Sequence, residues 1–586
     1  MLKPYENFKI AAYAFAYWLE KAGDDDILRG IDYYRQYMHL DKVYLENHRA
    51  TVDIPVARMR QIKALFEQNG IRTSGGITST GLVGERKPSF YAPYCFTDPA
   101  HRAAYRRIVG ELAQVFDEII LDDFFFTACR CELCVAAKGT RTWARYRLDL
   151  MEEFSREIVA LAREVNPNIK FVIKYPNWYE SYQETGYNPG KQKDIFDAVY
   201  TGTETREAAY SHQHLQRYES YSIMRLFENT APGRNGGGWI DQGGSLDNLT
   251  RWLEQGSLTM LAKARELALF NFSVLLDTPA LAALGANLYR IDRLMGKTGN
   301  PVGVVAYEPY DADGEDQVFN YLGMCGIPFE PKPVFDADAP LLFLSETSAG
   351  DDDVMPKLEA YVRAGGHAIV TTGFLRRTYD KGIREMTSVR LTHRHMLGDT
   401  YLVNPYDTPA GTTVSKGDRQ VLFEILDVKT NATWCDVKVV AGENNFPVMT
   451  EDFYGKGRLY VLNVPENFSD LYRLPREVWQ MVSKRFSRGM DVFVAGGSRV
   501  NLFAYDNGVY GLYGYGAARN TAQVFVKGEC RGIRDLETGV VYPTAGEMAR
   551  PSRQGDSATC DEAPPVHIVP VPMMGGRLVF FEVVSE

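Results

Sequence analysis

Residues 117–134 have the sequence DEIILDDFFFTACRCELC, which joins an apolar strand pattern, two adjacent aspartates and three closely spaced cysteines. The apolar part, residues 117–123, is one of eight short runs that alternate with helical patterns as far as about residue 295. Such alternation is typical of βα units around a parallel sheet, and eight units within 300 residues favour a (β/α)8 barrel over an open sheet. The predicted strands cover residues 8–14, 42–46, 71–78, 117–123, 169–175, 197–203, 237–241 and 268–277.

The chain has 586 residues, which predicts about three domains. Residues 1–300 form the barrel, and a linker with the sequence GKTGNP ends it at residues 296–301. A second α/β pattern then predicts a flavodoxin-like domain over residues 301–487. Residues 488–586 alternate apolar and polar side chains around Gly and Asn-Gly turns, which predicts a small antiparallel β-sandwich.

Composition excludes several classes of protein. Hydrophobic residues make up 45% and charged residues 24%, as in ordinary globular proteins. A formal charge of −10 without a basic cluster argues against a nucleic-acid partner. The sequence contains neither a signal-peptide pattern at its start nor an apolar stretch of 18 residues, which predicts a cytoplasmic protein that does not enter a membrane.

The cysteines after the fourth predicted strand suggest a metal site. Cys129, Cys131 and Cys134 form a C-x-C-x-x-C motif, and Cys95 lies in the loop after the third strand, on the same face of a barrel. Four thiolates suit a structural Zn²⁺, since they leave no open position for catalysis. The alternative is three buried free thiols and an unrelated Cys95. The remaining four cysteines, Cys325, Cys435, Cys530 and Cys560, are interpreted as ordinary free thiols.

The combination of a carboxylate at the end of strand four, the C-x-C-x-x-C motif and an earlier cysteine resembles glycoside hydrolase family 42, whose members are typically β-galactosidases. The resemblance implies a zinc-bearing barrel, an α/β trimerisation domain and a C-terminal β-domain, and therefore a homotrimer. It also implies an acid/base residue at Asp123 and a nucleophile at Asp241, which Gln242 follows as in the family. This chain departs from the family by having Asp122-Asp123 where the family has Asn-Glu.

Hydrolysis of a glycosidic bond requires two carboxyl groups, which barrel enzymes place at the C-terminal ends of strands. Asp122 and Asp123 are adjacent on a predicted strand and should point to opposite faces, so that only one, by preference Asp123, enters the barrel directly. Its partner is either Asp241 after strand seven or Glu204 after strand six. In the second case the strand-four aspartate is the nucleophile, as in some other barrel glycosidases. For any one of these residues the alternative is a cap for the following helix.

Other side chains near strand ends are candidate sugar ligands. Rings can pack against the apolar face of a pyranose, although each ring can equally be barrel core. Polar groups can bind sugar hydroxyl groups, and the cationic candidates are also compatible with an acidic sugar as the substrate. The aromatic candidates are Trp178, Tyr179 and Trp239, and the polar candidates are Glu46, Asn47, Arg49, Lys174 and Arg206.

These observations predict a glycoside hydrolase that removes a terminal sugar, as a β-galactosidase does. Two alternatives remain open. One is an exo-glycosidase for β-mannosides, α-galactosides or arabinosides, and the other is a sugar-binding barrel without catalysis. Residues 302–487 contain no dinucleotide or Walker motif, so oligomerisation is the expected use of the second domain.

Overall fold

The computed structural model describes residues 2–81, 93–178, 181–207, 215–243, 248–404, 412–495, 499–516, 519–548 and 564–585. Contacts within the chain define two compact units, Met1–Gly296 and Lys297–Glu586. Within the described ranges, no helix combines the length and the apolar character needed to cross a membrane.

The first unit is a closed barrel of eight parallel strands, as the sequence predicts. The strands pair in chain order, and β1 also pairs with β8, which closes the sheet. A two-residue strand, Val52–Asp53, pairs antiparallel with the end of β2. The barrel strands are β1 Lys9–Ala14, β2 Lys42–Ala50, β3 Arg72–Gly81, β4 Glu118–Leu121, β5 Lys170–Tyr175, β6 Ala198–Gly202, β7 Asn235–Asp241 and β8 Glu266–Phe270.

Several strand ends differ from the prediction. β2 continues four residues beyond residue 46, and β4 stops at Leu121, before the two aspartates. The predicted end of the last strand at residue 277 is wrong, since β8 stops at Phe270. The side chain of Asn271 explains this end, because its Oδ1 accepts hydrogen bonds from Ser273 Oγ and Val274 N, each 3.0 Å long, and turns the backbone.

The barrel interior is packed with side chains from alternate strands. Its core includes Tyr13, Tyr44, Tyr200 and Trp239, each at most 2% exposed. The space between the strands is therefore filled, and the open end at the carboxyl side of the strands, here called the barrel mouth, is the place for a site.

Helices connect the strands and cover the outside of the barrel. The longest begins after Thr142, whose Oγ1 accepts a hydrogen bond from Arg145 N at 3.2 Å, and it buries an apolar stripe that includes Phe154 and Ile158. The helices are Ala16–Leu19, Asp24–Tyr37, Val56–Gln68, Pro99–Ala113, Glu132–Lys138, Trp143–Val165, Tyr182–Thr185, Pro189–Gln192, Glu219–Thr230, Leu249–Leu261 and Pro279–Met295.

The second unit contains a mixed sheet whose parallel half has the strand order of flavodoxin-like folds, as predicted. Its parallel strands lie side by side as Phe329–Lys332, Val304–Tyr307, Leu342–Leu344, His367–Thr371 and Gly457–Leu462. The α-helices of this unit are Phe319–Gly323, Val354–Ala364, Thr372–Thr378 and Arg476–Phe486. Short 3-10 helices cover Glu315–Gln317, Glu346–Gly350, Ile383–Glu385 and Phe468–Arg473.

The sequence prediction missed the antiparallel half of this sheet. Four long strands extend it, namely Val389–Val403, Thr413–Val428, Thr433–Ala441 and Asn444–Tyr454. Many of their residues are exposed or half-buried, so they lack the continuous apolar runs by which the buried parallel strands were recognised.

Two antiparallel sheets form the C-terminal part, and residues of both share one apolar core, as expected of a β-sandwich. One sheet contains Pro301–Val302, Val500–Tyr505, Val509–Gly514, Leu578–Val584, Gly532–Asp535 and Val541–Pro543. The other contains Val492–Ala495, Asn520–Lys527, Val566–Met573 and Gly546–Glu547. The strand Pro301–Val302 pairs with Val500–Tyr505, so residues on both sides of the predicted boundary at 487 build this part. The division into domains at residues 300 and 487 stays a prediction.

Candidate active site

Lys174, at the end of β5, is the centre of a cluster of carboxylates in the barrel mouth. Its Nζ lies 2.8 Å from Asp123 Oδ2, 3.1 Å from Glu204 Oε1 and 3.4 Å from Asp122 Oδ1. The side chain of Lys174 is only 1% exposed. Although burial opposes it, the three carboxylates raise the pKa of Lys174, so the ammonium stays charged.

Asp122 and Asp123 both reach Lys174, which differs from the expectation that adjacent residues diverge. The reason is that β4 ends at Leu121, so the strand alternation does not extend to either aspartate. Asp123 N donates a hydrogen bond of 2.9 Å to Asp122 Oδ1, which ties the two residues together.

Asp122 is the firmly ionised member of the cluster. Its Oδ2 accepts hydrogen bonds from Thr78 Oγ1 at 3.0 Å and from Arg49 Nη2 at 3.2 Å. Burial favours the protonated carboxyl, but Lys174 and Arg49 outweigh it and lower the pKa of Asp122 to about 2.

Asp123 and Glu204 shift in the opposite direction. Burial raises the pKa of Asp123 well above its usual range, and the charges of Asp122 and Glu204 add to this rise against the effect of Lys174. Burial also raises the pKa of Glu204, with Lys174 and Arg206 opposing and Asp241 adding to the rise. The Asp123 side chain is 19% exposed, whereas that of Glu204 is 2% exposed, so Asp123 is the more accessible of the two.

The two carboxyl groups with raised pKa values lie close together. Because one ammonium is 2.8 Å from Asp123 Oδ2 and 3.1 Å from Glu204 Oε1, these two oxygens are at most 5.9 Å apart. Catalytic carboxyl groups about 5–5.5 Å apart are typical of retaining glycosidases, and inverting enzymes need roughly 6.5–9.5 Å. The bound on these two oxygens allows the shorter of the two spacings.

Asp241, at the end of β7, has a different environment. Arg206 Nε donates to Asp241 Oδ1 at 2.8 Å, and Arg206 Nη2 donates to Oδ2 at 2.5 Å. Gly243 N also donates to Oδ1, at 3.0 Å. Both carboxylate oxygens are thus held by a two-pronged ion pair, the geometry that arginine favours.

Glu46 and Arg49, predicted as sugar ligands after the second strand, lie within β2. They support the cluster because Glu46 binds Arg49, which in turn binds Asp122. Glu46 is fully buried, and its oxygens accept hydrogen bonds from Tyr13 Oη at 2.8 Å, Ala16 N at 2.6 Å, Arg49 Nε at 3.0 Å and the Thr78 hydroxyl. These contacts fix the guanidinium that reaches Asp122.

Asn47 is also buried, at 2% exposure. Its Oδ1 has no hydrogen-bond partner within the ranges that the structure describes.

The aromatic candidates separate into core and mouth. Trp239 is 2% exposed and packs among Tyr13 and Phe270, with ring centroids 4.8 Å and 5.8 Å away, so it belongs to the barrel core. Its face also receives Lys174 Nζ, 4.4 Å from the ring centroid. Trp178 is half-buried at the mouth, and Tyr179 lies outside the described residues.

Sequence reasoning missed two kinds of residue in this site. Thr78 and Tyr13 lie on strands and contact the carboxylates, but their sequence context is that of ordinary strand residues. Glu219 begins a helix remote in sequence, and its Oε1 accepts a hydrogen bond from Trp178 N at 3.0 Å. Burial, together with the charge of Glu204 and against the hydrogen bond from Trp178, raises the pKa of Glu219 to about 8. Only the fold brings it to the mouth.

The four predicted metal-ligating cysteines come together beside the barrel mouth. The Sγ atoms of Cys95, Cys129, Cys131 and Cys134 all lie within 4.8 Å of one another. Cys95 Sγ is 3.5 Å from Cys134 Sγ and 3.8 Å from Cys131 Sγ, and the last two are 3.7 Å apart. Zinc–sulfur bonds of about 2.3 Å in a tetrahedron place sulfur atoms about 3.8 Å apart, so the four thiols fit a metal ion.

The other cysteines are dispersed. Cys325, Cys435 and Cys530 are buried free thiols, as expected, and Cys560 lies outside the described residues.

Comparison with known proteins identifies the family. A family model described as "Probable glycosyl hydrolase, catalytic domain" matches residues 1–297, the whole barrel. The chain belongs to this glycosyl hydrolase family. A second model, "Uncharacterized protein SSO3021, second domain", matches residues 299–467 of this glycosyl hydrolase. The uncharacterized protein SSO3021 of Saccharolobus solfataricus is 25% identical over 503 residues, which cover 78% of this chain and 82% of that protein.

Solved structures similar to this glycosyl hydrolase have the predicted architecture. Gan42B, a GH42 β-galactosidase from G. stearothermophilus, superposes with a TM-score of 0.63 over 98% of both chains at 12% identity. The exo-β-1,4-mannosidase Op5Man5 from Opitutaceae bacterium strain TAV5 has a TM-score of 0.51 over 78% of this chain and 91% of its own, at 11% identity. Together with the family model, these folds confirm the predicted resemblance to the family 42 enzymes as that of a divergent member.

Proposed function

We propose that this protein is a glycosidase that removes a terminal sugar, with Asp123 as the general acid and Glu204 as the nucleophile. The observation that carries the proposal is the pair of carboxyl groups with raised pKa values held on one ammonium in the mouth of a glycosyl hydrolase barrel, with Asp123 Oδ2 and Glu204 Oε1 at most 5.9 Å apart. Hydrolysis with retention requires two carboxyl groups about 5–5.5 Å apart, which this bound allows.

The assignment of roles follows from the environments of the two groups. Asp123 keeps its proton more strongly, because Asp122 and Glu204 both add to the effect of burial, and it is the more exposed group. Glu204 has the help of both Lys174 and Arg206 in ionising. A group that stays protonated near neutral pH suits a general acid, and its ionised partner suits a nucleophile.

In the first step, Asp123 donates its proton to the glycosidic oxygen while a Glu204 oxygen attacks the anomeric carbon. The bond to the leaving group breaks, and a glycosyl ester on Glu204 forms. In the second step, the Asp123 carboxylate takes a proton from water, the water oxygen attacks the anomeric carbon, and Glu204 leaves as a carboxylate. Lys174 stabilises whichever of the two groups is negative at each stage.

Asp241, the nucleophile that the family resemblance implies, takes a positioning role in this proposal. The ion pair of its two oxygens with Arg206 holds the guanidinium near Glu204, where the positive charge opposes the rise in the pKa of that residue. Trp178, half-buried at the mouth, is the proposed platform for the sugar ring. Glu46 and Arg49 bind each other, and Arg49 binds Asp122, so we propose that they support the cluster and do not contact the sugar. Asn47 stays a proposed sugar ligand, because its buried Oδ1 has no hydrogen-bond partner in the described part of the chain.

The proposed substrate is a β-galactoside, and the alternatives are a β-mannoside, an α-galactoside or an arabinoside. A panel of these four nitrophenyl glycosides tests them directly. We expect hydrolysis of one, and Asp123→Asn should lower kcat/KM by on the order of 100- to 10,000-fold on substrates that need protonation of the leaving group.

A dinitrophenyl glycoside of the same sugar is the matched control, since its leaving group departs without a proton. Asp123→Asn should slow that substrate far less in the first step. If the protein hydrolyses no glycoside of the panel, the sugar-binding alternative without catalysis replaces this proposal.

The four-cysteine cluster is proposed to hold a structural Zn²⁺. The sulfur spacing supports this, and four thiolate ligands would leave the ion no position for substrate, so its contribution is to fix the loops after β3 and β4. Cys134→Ser should remove about one zinc per chain, measured by elemental analysis, and should lower the unfolding temperature by several degrees. Cys530→Ser, at a buried thiol outside the cluster, should retain the zinc.

We further propose, from the family 42 resemblance, that the protein is a homotrimer in the cytoplasm. The mass of one chain is 66.1 kDa, and light scattering that gives this mass would contradict the trimer.

A further inference from the structure

The second unit contains a cavity of about 560 Å³ whose walls are unusually basic. It lies where the parallel strands His367–Thr371 and Gly457–Leu462 begin and where the helix Arg476–Phe486 ends. The cationic side chains that line it are Lys456, Arg458, Lys484, Arg485, Arg488 and Lys527. This concentration of positive charge occurs in a chain whose net charge is −10.

Carboxylates balance two of these cations, Arg485 and Arg458. Arg485 binds both oxygens of Asp436, at 2.6 Å and 2.7 Å, and its Nη2 lies 3.1 Å from Glu451 Oε2. Arg458 donates to the other oxygen of Glu451. These four residues therefore form a group of two positive and two negative charges.

Three further cations, Lys527, Arg488 and Lys456, have less compensation in the part of the chain that the structure describes. Lys527 Nζ donates to the carbonyl oxygen of Ser487 at 2.7 Å, and the charge that opposes its own is that of the exposed Asp491. Arg488 and Lys456 are exposed, and neither has an ion pair within the ranges that the structure describes. The cavity thus carries an excess of positive charge.

Two titratable groups respond to this excess. Burial, together with Lys484 and Arg488 and against Asp491, lowers the pKa of Lys527 to about 8. Burial, followed by the charges of Arg488 and Arg458, lowers the pKa of His367 to about 4, so the imidazole stays neutral near pH 7. A negatively charged ligand would relieve the repulsion among these groups.

We propose that this cavity binds a small molecule of the phosphate-ester class that carries two or more negative charges. Its volume lies within the roughly 300–1,000 Å³ of ordinary ligand sites. The guanidinium and ammonium groups supply the charged donors that bind phosphate oxygens most strongly. An adjoining cavity of about 670 Å³, which shares Arg488 and is lined by Phe335, Pro340 and Tyr361, has room for the uncharged part of the ester.

The test is calorimetric titration of the full chain with inorganic pyrophosphate at constant ionic strength. We expect the wild-type protein to bind, and the double variant Lys456→Ala/Arg488→Ala to bind at least about tenfold more weakly, since two charge-assisted contacts are lost. Both residues are exposed, so the variant should keep the wild-type unfolding temperature. Arg488→Gln alone is a milder variant, for which a smaller weakening in the same direction is expected.

A matched control removes two exposed cations elsewhere in the same unit, Lys381→Ala/Arg394→Ala. It lowers the net charge equally and should bind pyrophosphate as the wild type does. Absence of binding to the wild type, or equal weakening in the two double variants, would overturn the proposal. Either result would leave the assignment of the barrel site unaffected, because glycoside hydrolysis is measured independently.

Discussion

Asp241 and the cluster of Asp122, Asp123 and Glu204 lie at the same end of the barrel, but their charges are balanced in different ways. Asp241 has a guanidinium of its own, and Arg206 donates to both of its oxygens. The three carboxylates of the cluster share the ammonium of Lys174, and Arg49 adds a second cation on the Asp122 side.

The crowding of carboxylates in the cluster favours their protonation. Burial and the charges of neighbouring carboxylates raise the pKa values of Asp123 and Glu204. Acid and base chemistry is therefore expected in the cluster, with Asp241 as its electrostatic neighbour.

The largest expected effect is the loss of kcat/KM on substitution of Glu204, compared with the loss on substitution of Asp241. Glu204→Gln removes the proposed nucleophile and should lower kcat/KM by at least on the order of 10,000-fold. Asp241→Asn keeps the shape of the side chain but releases Arg206. It should lower kcat/KM on the order of 10- to 100-fold, because Arg206 is then misplaced. Steady-state kinetics on the best nitrophenyl glycoside measure both, and the reverse order of losses would break the comparison.

The pH dependence of kcat/KM sharpens the comparison. Activity requires an ionised Glu204 and a protonated Asp123, so it should fall as the pH drops below the raised pKa of Glu204 and as the pH rises above that of Asp123. The lower limit should lie above the usual glutamate value of about 4.3. The charge of Arg206 holds the pKa of Glu204 down against the effect of burial, so Arg206→Gln, which removes that charge, should move the lower limit toward neutral pH. A shift to more acidic pH would contradict the assigned roles.

The smallest effect concerns stability at Glu219. Its folded pKa of about 8 exceeds the unfolded value of about 4.3, so its contribution to stability is complete below pH 4.3 and is lost as the pH rises toward 8. Glu219→Gln keeps an acceptor for Trp178 N without this penalty. Relative to the wild type, the free energy of unfolding of the variant should rise by roughly 1 kcal/mol per pH unit between pH 5 and 8. Unfolding experiments at several pH values measure this difference.

Glu228 on the same helix is the matched control for that measurement. Although burial opposes it, the hydrogen bond from Arg265 lowers its pKa, so Glu228 is ionised in both folded and unfolded chains over this range. The stability difference between Glu228→Gln and the wild type should stay constant from pH 5 to 8. A constant difference for Glu219→Gln as well would show that Glu219 is not held protonated.

The sequence was sufficient to predict the barrel and the grouping of the four cysteines. Parallel strands that are buried on both faces have continuous apolar runs, and thiolate spacing within one loop is a local property of the chain. Many residues of the strands between residues 389 and 454 are exposed or half-buried, so these strands have no such runs and were missed.

The arrangement within the mouth was less accessible to sequence reasoning. Lys174 was predicted as a sugar ligand, but its position among three carboxylates depends on where β4 stops relative to β5. Glu219 comes from a distant helix, and no local pattern marks it. The family resemblance implied Asp241 as the nucleophile, and the alternative partner, Glu204, is the one that shares Lys174 with Asp123.

The most direct test of the central claim is rescue by azide of variants that lack the nucleophile. Glu204→Ala and Asp241→Ala are each incubated with the best nitrophenyl glycoside and sodium azide, and the sugar product is examined by NMR. The account predicts that azide restores turnover in Glu204→Ala and gives a glycosyl azide of inverted configuration, with no such product from Asp241→Ala. A glycosyl azide formed by Asp241→Ala and not by Glu204→Ala would contradict it.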